Sequence, residues 1–117
     1  KEMEDSKTTL KALKKIVKNF VDERDWSQFH SPKNLSMSIS IEAAELMEIF
    51  QWVSLEEAND IMKSGEKREN AVDEIADVLI YAISFCESNN IDISDAICNK
   101  MEKNIVKYPV EKYKSRF

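Results

Sequence analysis

At 117 residues the chain suits one domain with a buried core and is too short for two. One Gly and two Pro leave too little turn chemistry for a sheet protein, which needs such punctuation every ~8–12 residues, so the expected class is all-α. A net charge of −5 argues against a nucleic-acid partner, and no apolar run approaches the ~18–20 residues that a membrane span requires.

Helical spacing of Leu10, Leu13, Ile16, Val17, Phe20 and Val21 predicts a first amphipathic helix from Ser6 to Arg24, with a lysine-rich outer face. The pattern then breaks into a polar loop, Asp25 to Asn34, that carries Trp26, Phe29 and His30. Ser31-Pro32 reads as an N-cap followed by Pro at the first helical position. Beyond it Leu35, Met37, Ile39 and Ile41 alternate with serines as a strand would. The run continues without a break into Glu42-Ala-Ala-Glu-Leu-Met-Glu, strong helix formers, so length favours one deeply buried helix from Pro32 to Trp52.

Ser54-x-x-Glu57 is a capping box opening a short helix to Ser64, with Gly65 as its stop. Arg68 to Glu87 is a second long helix, apolar on most sides and ended by Asn89-Asn90. A last helix runs from Asp92 or Ser94 to Lys107 and stops at Pro109, leaving a polar tail. The expected architecture is a bundle of four to five helices in a single domain, 6–109, with residues 1–5 and 110–117 as flexible or peripheral ends. Cys86 and Cys98 lack Cys-x-x-Cys spacing and read as reduced thiols, and no signal-peptide pattern opens the chain, so a cytoplasmic location is expected.

Charge is unevenly spread. Between Asn34 and Asn99 stand 14 acids and three bases, while the flanks carry 8 acids and 14 bases. Within the acidic middle, Glu42 and Glu45 share a helix face, as do Glu74 and Asp77, because residues three apart are neighbours on a helix. Such acids are ordinarily surface groups paired with Lys or Arg. Here no base occurs between Lys33 and Lys63 or between Arg68 and Lys100, so neither helix supplies a partner. Unpaired buried carboxylates cost several kcal/mol each, which leaves protonation, bases from the flanks, or a metal. Two pairs converging from antiparallel helices would make an oxygen-only cage suited to Mg²⁺, with Mn²⁺ as the alternative. A di-iron bundle would need Glu-x-x-His pairs, and the sole histidine, His30, lies in a loop.

Glu42-Ala-Ala-Glu45, followed by Asp73-Glu74-Ile-Ala-Asp77-Val-Leu-Ile-Tyr81, resembles the MazG-like nucleotide pyrophosphohydrolases, nearest to the dCTP pyrophosphatase group. Three further blocks agree: Arg24-Asp25-Trp26-Ser-Gln-Phe29-His30, Glu48-Ile-Phe50-Gln51-Trp52, and Lys100-Met-Glu-Lys-Asn104-Ile-Val-Lys-Tyr108-Pro109. The likeness covers roughly residues 10–110.

The resemblance implies a helical dimer or tetramer that hydrolyses a (deoxy)nucleoside triphosphate to monophosphate and pyrophosphate with Mg²⁺, cleaning the nucleotide pool. It makes Glu42, Glu45, Glu74 and Asp77 the metal ligands. The water's proton would go to one of these carboxylates or to an outer acid such as Glu48. Trp26 and Trp52 are then candidates for sandwiching the base, against the plainer reading that both only pack. His30 would hydrogen-bond base or phosphate, and Tyr81, four residues after Asp77, would touch phosphate or sugar. Lys100, Asn104 and Tyr108 line one face of the last helix, where Lys and Tyr would hold phosphates and the Asn amide would read a base edge, although a solvated face would look the same. The competing reading is a non-catalytic helical interaction protein whose acids are solvated or paired across an oligomer.

Overall fold

The structure, a computed structural model, describes residues 3–116. Six α-helices occur among the described residues: α1 (Leu10–Glu23), α2 (Pro32–Phe50), α3 (Leu55–Ile61), α4 (Glu66–Ser88), α5 (Ile93–Lys107) and a single turn, α6 (Val110–Tyr113). No strand occurs among the described residues, so the all-α expectation holds.

The caps set these boundaries. Thr9 rather than Ser6 starts α1, its hydroxyl accepting from the Ala12 amide at 3.1 Å, and residues 5–7 form a separate turn. Ser31 caps α2 by accepting from the Asn34 amide, with Pro32 at the first helical position. Both hydrogen bonds of the Ser54–Glu57 capping box are made. The loop before α2 contains a 3-10 turn at Ser27–Phe29.

Gly65 plays a different part from the one expected. Helix α3 ends a full turn earlier, at Ile61, and Gly65 instead introduces α4 with φ of +102°, a left-handed value that favours glycine. The tail also gains order, since α6 folds back so that the Tyr113 ring meets Tyr108 edge-on at 5.2 Å. Of the ends expected to be peripheral, residues 1, 2 and 117 lie outside the described residues.

Packing is concentrated on one axis. Helix α4 packs along α2, and α1 lies against α4, while α5 makes no comparably broad contact with any other helix. Lys14 Nζ donates to the Ile91 carbonyl and so ties α1 to the α4–α5 connection. The deep burial expected of α2 is not reached within one chain. Leu35 is 1% exposed, but Met37, Ile41 and Met47 on the same helix are open. A radius of gyration of 17.1 Å compares with about 13 Å for a compact domain of this length. The accessible surface of 9673 Å² likewise exceeds the about 6,600 Å² expected from the mass.

Candidate metal centre

Glu42 and Glu45 project from the middle of α2, and Glu74 from the facing stretch of α4. One carboxylate oxygen from each comes within 4.8 Å of the others. Asp77 lies one turn beyond Glu74, outside this triad but near enough for its charge to act on Glu42. Three of the four paired acids therefore converge, and the fourth, Asp77, stands beside them.

The electrostatics of the cluster are those of crowded anions. The Glu42 carboxyl is pushed up to about 7, first because burial disfavours its charge. It also shares a hydrogen bond with Glu45, and the charges of Glu45, Asp77 and Glu74 oppose its ionisation. Burial, followed by the hydrogen bond and charge of Glu45, raises Glu74 in the same direction. One oxygen of Glu42 and one of Glu74 are buried with no hydrogen-bond partner.

No base relieves this crowding. The ion pairs among the described residues are Lys7–Glu4, Lys18–Asp22, Arg24–Glu23 and Lys63–Asp60, each local and none at the cluster. Orphaned buried oxygens, an all-carboxylate donor set and the lack of a neighbouring cation fit a hard divalent ion such as Mg²⁺. Glu48, one turn past Glu45, is exposed on α2.

A groove of ≈ 470 Å³ adjoins the cluster between α1 and α4. Asp77 belongs to its lining, together with Trp26, His30 and Tyr81. Three of the aromatic side chains singled out from the sequence thus meet one of the acids in a single concavity. Trp26 is 44% exposed, with its ring edge-on to Phe20 at 5.6 Å, and the Arg24 guanidinium lies 3.8 Å from the centre of that phenyl ring. His30 faces the Tyr81 ring at 6.5 Å and keeps its Nδ1 buried and unpartnered.

Other candidates stand apart within the chain. Trp52 is 87% exposed beyond the end of α2. Lys100, Asn104 and Tyr108 share the loosely packed α5, where the Asn104 amide meets only Met101 Sδ at 4.0 Å and Tyr108 is the C-cap. Sequence reasoning missed the apolar wall of the groove, since Leu13, Val17 and Phe20 read as ordinary core. It also missed Ser84, buried at 5% exposure in the same lining. Its spacing was the available signal, because Asp77, Tyr81 and Ser84 at i, i+4 and i+7 share one helix face.

Known proteins resemble the chain over most of its length. The MazG-like family model matches residues 37–116. dCTP pyrophosphatase 1 of Bos taurus is 36% identical over 105 residues, covering 90% of this chain and 62% of the relative. The Homo sapiens protein of the same name is 36% identical over 101 residues, covering 86% of this chain and 59% of its own length. The chain thus spans about three fifths of the length of these curated relatives. The crystal structure of a pyrophosphatase from Archaeoglobus fulgidus superposes with a TM-score of 0.81 at 41% identity, covering 92% of this chain and 99% of that one.

Proposed function

The chain belongs to the MazG-like family, and from that membership we propose that it hydrolyses nucleoside triphosphates to monophosphate and pyrophosphate, preferring deoxynucleotides and dCTP among them. One observation carries the proposal. The unrelieved carboxylate cluster opens, through Asp77, onto a groove with an apolar wall and aromatic rings. Convergent anions suit a metal-bound polyphosphate, and such a groove suits a base. The names of the relatives, dCTP pyrophosphatase and pyrophosphatase, support the same substrate class.

Glu42, Glu45, Glu74 and Asp77 would hold Mg²⁺, or Mn²⁺ in its place. The bound ion supplies charge neutralisation to the triphosphate and to the leaving pyrophosphate. Trp26 offers a face on which the base stacks, and Tyr81 stands between base and acids to meet sugar or phosphate. His30 presents a buried nitrogen with no other partner. Water attacks the α-phosphorus and gives its proton to a carboxylate. Glu48, exposed one turn from Glu45, is an acceptor free of the proposed ligand set.

Self-association is part of the proposal. Ile97, Met101, Ile105 and Val106 of α5 are all open, as are Val72 and Leu79 of α4, in a chain with far more surface than its mass requires. A dimer or tetramer would cover these faces and bring Lys100, Asn104, Tyr108 and Trp52 of one copy towards the groove of another. The enzyme would act on free nucleotides in the cytoplasm, keeping the pool clean.

Incubation with dCTP, dATP, dTTP and dGTP in Mg²⁺, with product identification, tests the activity. Monophosphate and pyrophosphate are the expected products. Orthophosphate alone, or no turnover, would contradict it.

A further inference from the structure

The groove has a second, polar end. A smaller cavity of ≈ 200 Å³ shares Val21, His30 and Ser84 with it, and its remaining lining includes Lys18, Asp22 and Glu87. Two of those charges satisfy each other, Lys18 Nζ lying 2.7 Å from Asp22 Oδ2. Glu87 is half-buried and takes part in no ion pair or side-chain hydrogen bond among the described residues. Its carboxylate lines the cavity without accepting a side-chain hydrogen bond there, although the Lys18 ammonium on the same lining lies near enough for the two charges to attract.

Position along α4 gives this end a meaning. Ser84 lies two turns past Asp77 on the same face, about 10.5 Å along the axis at 1.5 Å per residue. A nucleotide whose phosphates sit at the acids and whose sugar passes Tyr81 would bring the outer edge of its base to Ser84. Glu87, one turn further, borders the adjoining space.

We propose that Glu87 and Ser84 are the specificity-determining pair at the base end of the groove, selecting bases that carry an exocyclic amine. The inference rests on the nucleotide reading above and assigns its base preference to named atoms. A carboxylate only accepts hydrogen bonds, so it pairs with the amine of cytosine and is set against the carbonyl that uracil carries at the same position. The Ser84 hydroxyl donates or accepts and completes the contact with the neighbouring ring nitrogen. A site built around a hydrogen bond rejects the analogue that cannot make it, because the buried group is left unpaired.

Steady-state kinetics with dCTP and dUTP in Mg²⁺ provide the test, since these nucleotides differ only at that edge. The wild type is expected to favour dCTP. Glu87→Gln, whose amide can turn its N–H₂ towards a carbonyl, should lower kcat/KM for dCTP about ten-fold, mainly through KM, and raise it for dUTP. Ser84→Ala should shift the ratio the same way by less. Melting temperatures near wild type would separate recognition from folding. A ratio of kcat/KM for dCTP to that for dUTP that Glu87→Gln leaves unchanged, or a wild type that does not distinguish the two, overturns this assignment and leaves the hydrolase reading standing. A wild type that turns over no nucleotide overturns both.

Discussion

Helices α2 and α4 differ from α5 in what their apolar side chains meet. The first two pack along each other, so that Leu35 and Ala71 are buried and Glu42, Glu45 and Glu74 on facing turns are brought together, with Asp77 beside them. Helix α5 is regular and well capped by Asp92, yet Ile105 is 67% and Val106 81% exposed. One region is organised by the chain's own packing and the other is left open, which puts the proposed metal site within a single chain and the proposed association on α5. Burial also explains the strain. The desolvation that raises Glu42 and Glu74 arises where α2 and α4 pack.

The contrast can be broken at its strongest point first. Glu45→Ala removes the carboxylate whose hydrogen bond and charge act on both Glu42 and Glu74, and is expected to cost at least about a hundred-fold in Mg²⁺-dependent turnover. Initial-rate assays with dCTP would check this. Trp26→Ala should come next, raising KM roughly ten-fold if the indole supplies ~1–3 kcal/mol of stacking. A similar fall in kcat with KM unchanged would return Trp26 to a packing role.

Val106→Asp addresses the other side of the comparison. A charge on an open apolar face should reduce the mass measured by light scattering, while helical content stays as it was. A mass equal to wild type would remove α5 from the interface.

Acidity provides a gentler probe. The folded chain holds the Glu42 proton up to about pH 7, whereas the unfolded chain releases it near 4.5, so the folded state binds more protons between those values. Metal-free stability should therefore be greatest below about 4.5 as far as this group decides it, and fall as pH rises through 7. Melting curves recorded in chelator across that window would show the fall, and Glu42→Gln should flatten it. The smallest effect is expected at Ser54→Ala, which breaks the capping box of α3, a helix that supplies none of the clustered acids. It should cost about 1 kcal/mol and leave turnover intact.

Much of this was legible before any coordinates. Ser31-Pro32, Ser54-x-x-Glu57, Asn89-Asn90 and Pro109 are local signals, and local hydrogen bonds decide helix ends, so those boundaries agree to within about two residues. Glu42, Glu45 and Glu74 were recognisable by their lack of basic neighbours. Gly65 misled because the same residue can follow one helix or introduce the next, and the helical hydrogen bonds decide which, the Glu69 amide donating to the Gly65 carbonyl at 3.1 Å. The opening of α5 and the sharing of Ser84 between two cavities depend on distances between helices, which spacing along one helix does not encode. Periodicity likewise marks Val106 and Leu35 as equally apolar, although one is 81% and the other 1% exposed.

Thermal melting of wild type and Glu45→Ala, each with chelator and with saturating Mg²⁺, goes to the root of the account. The wild type should melt higher with Mg²⁺, because binding to the folded state alone adds stability. Relieved of one of the crowded anions, Glu45→Ala should melt at or above wild type in chelator and gain little from the ion. A wild type indifferent to Mg²⁺, or a variant that gains as much as wild type, would contradict it.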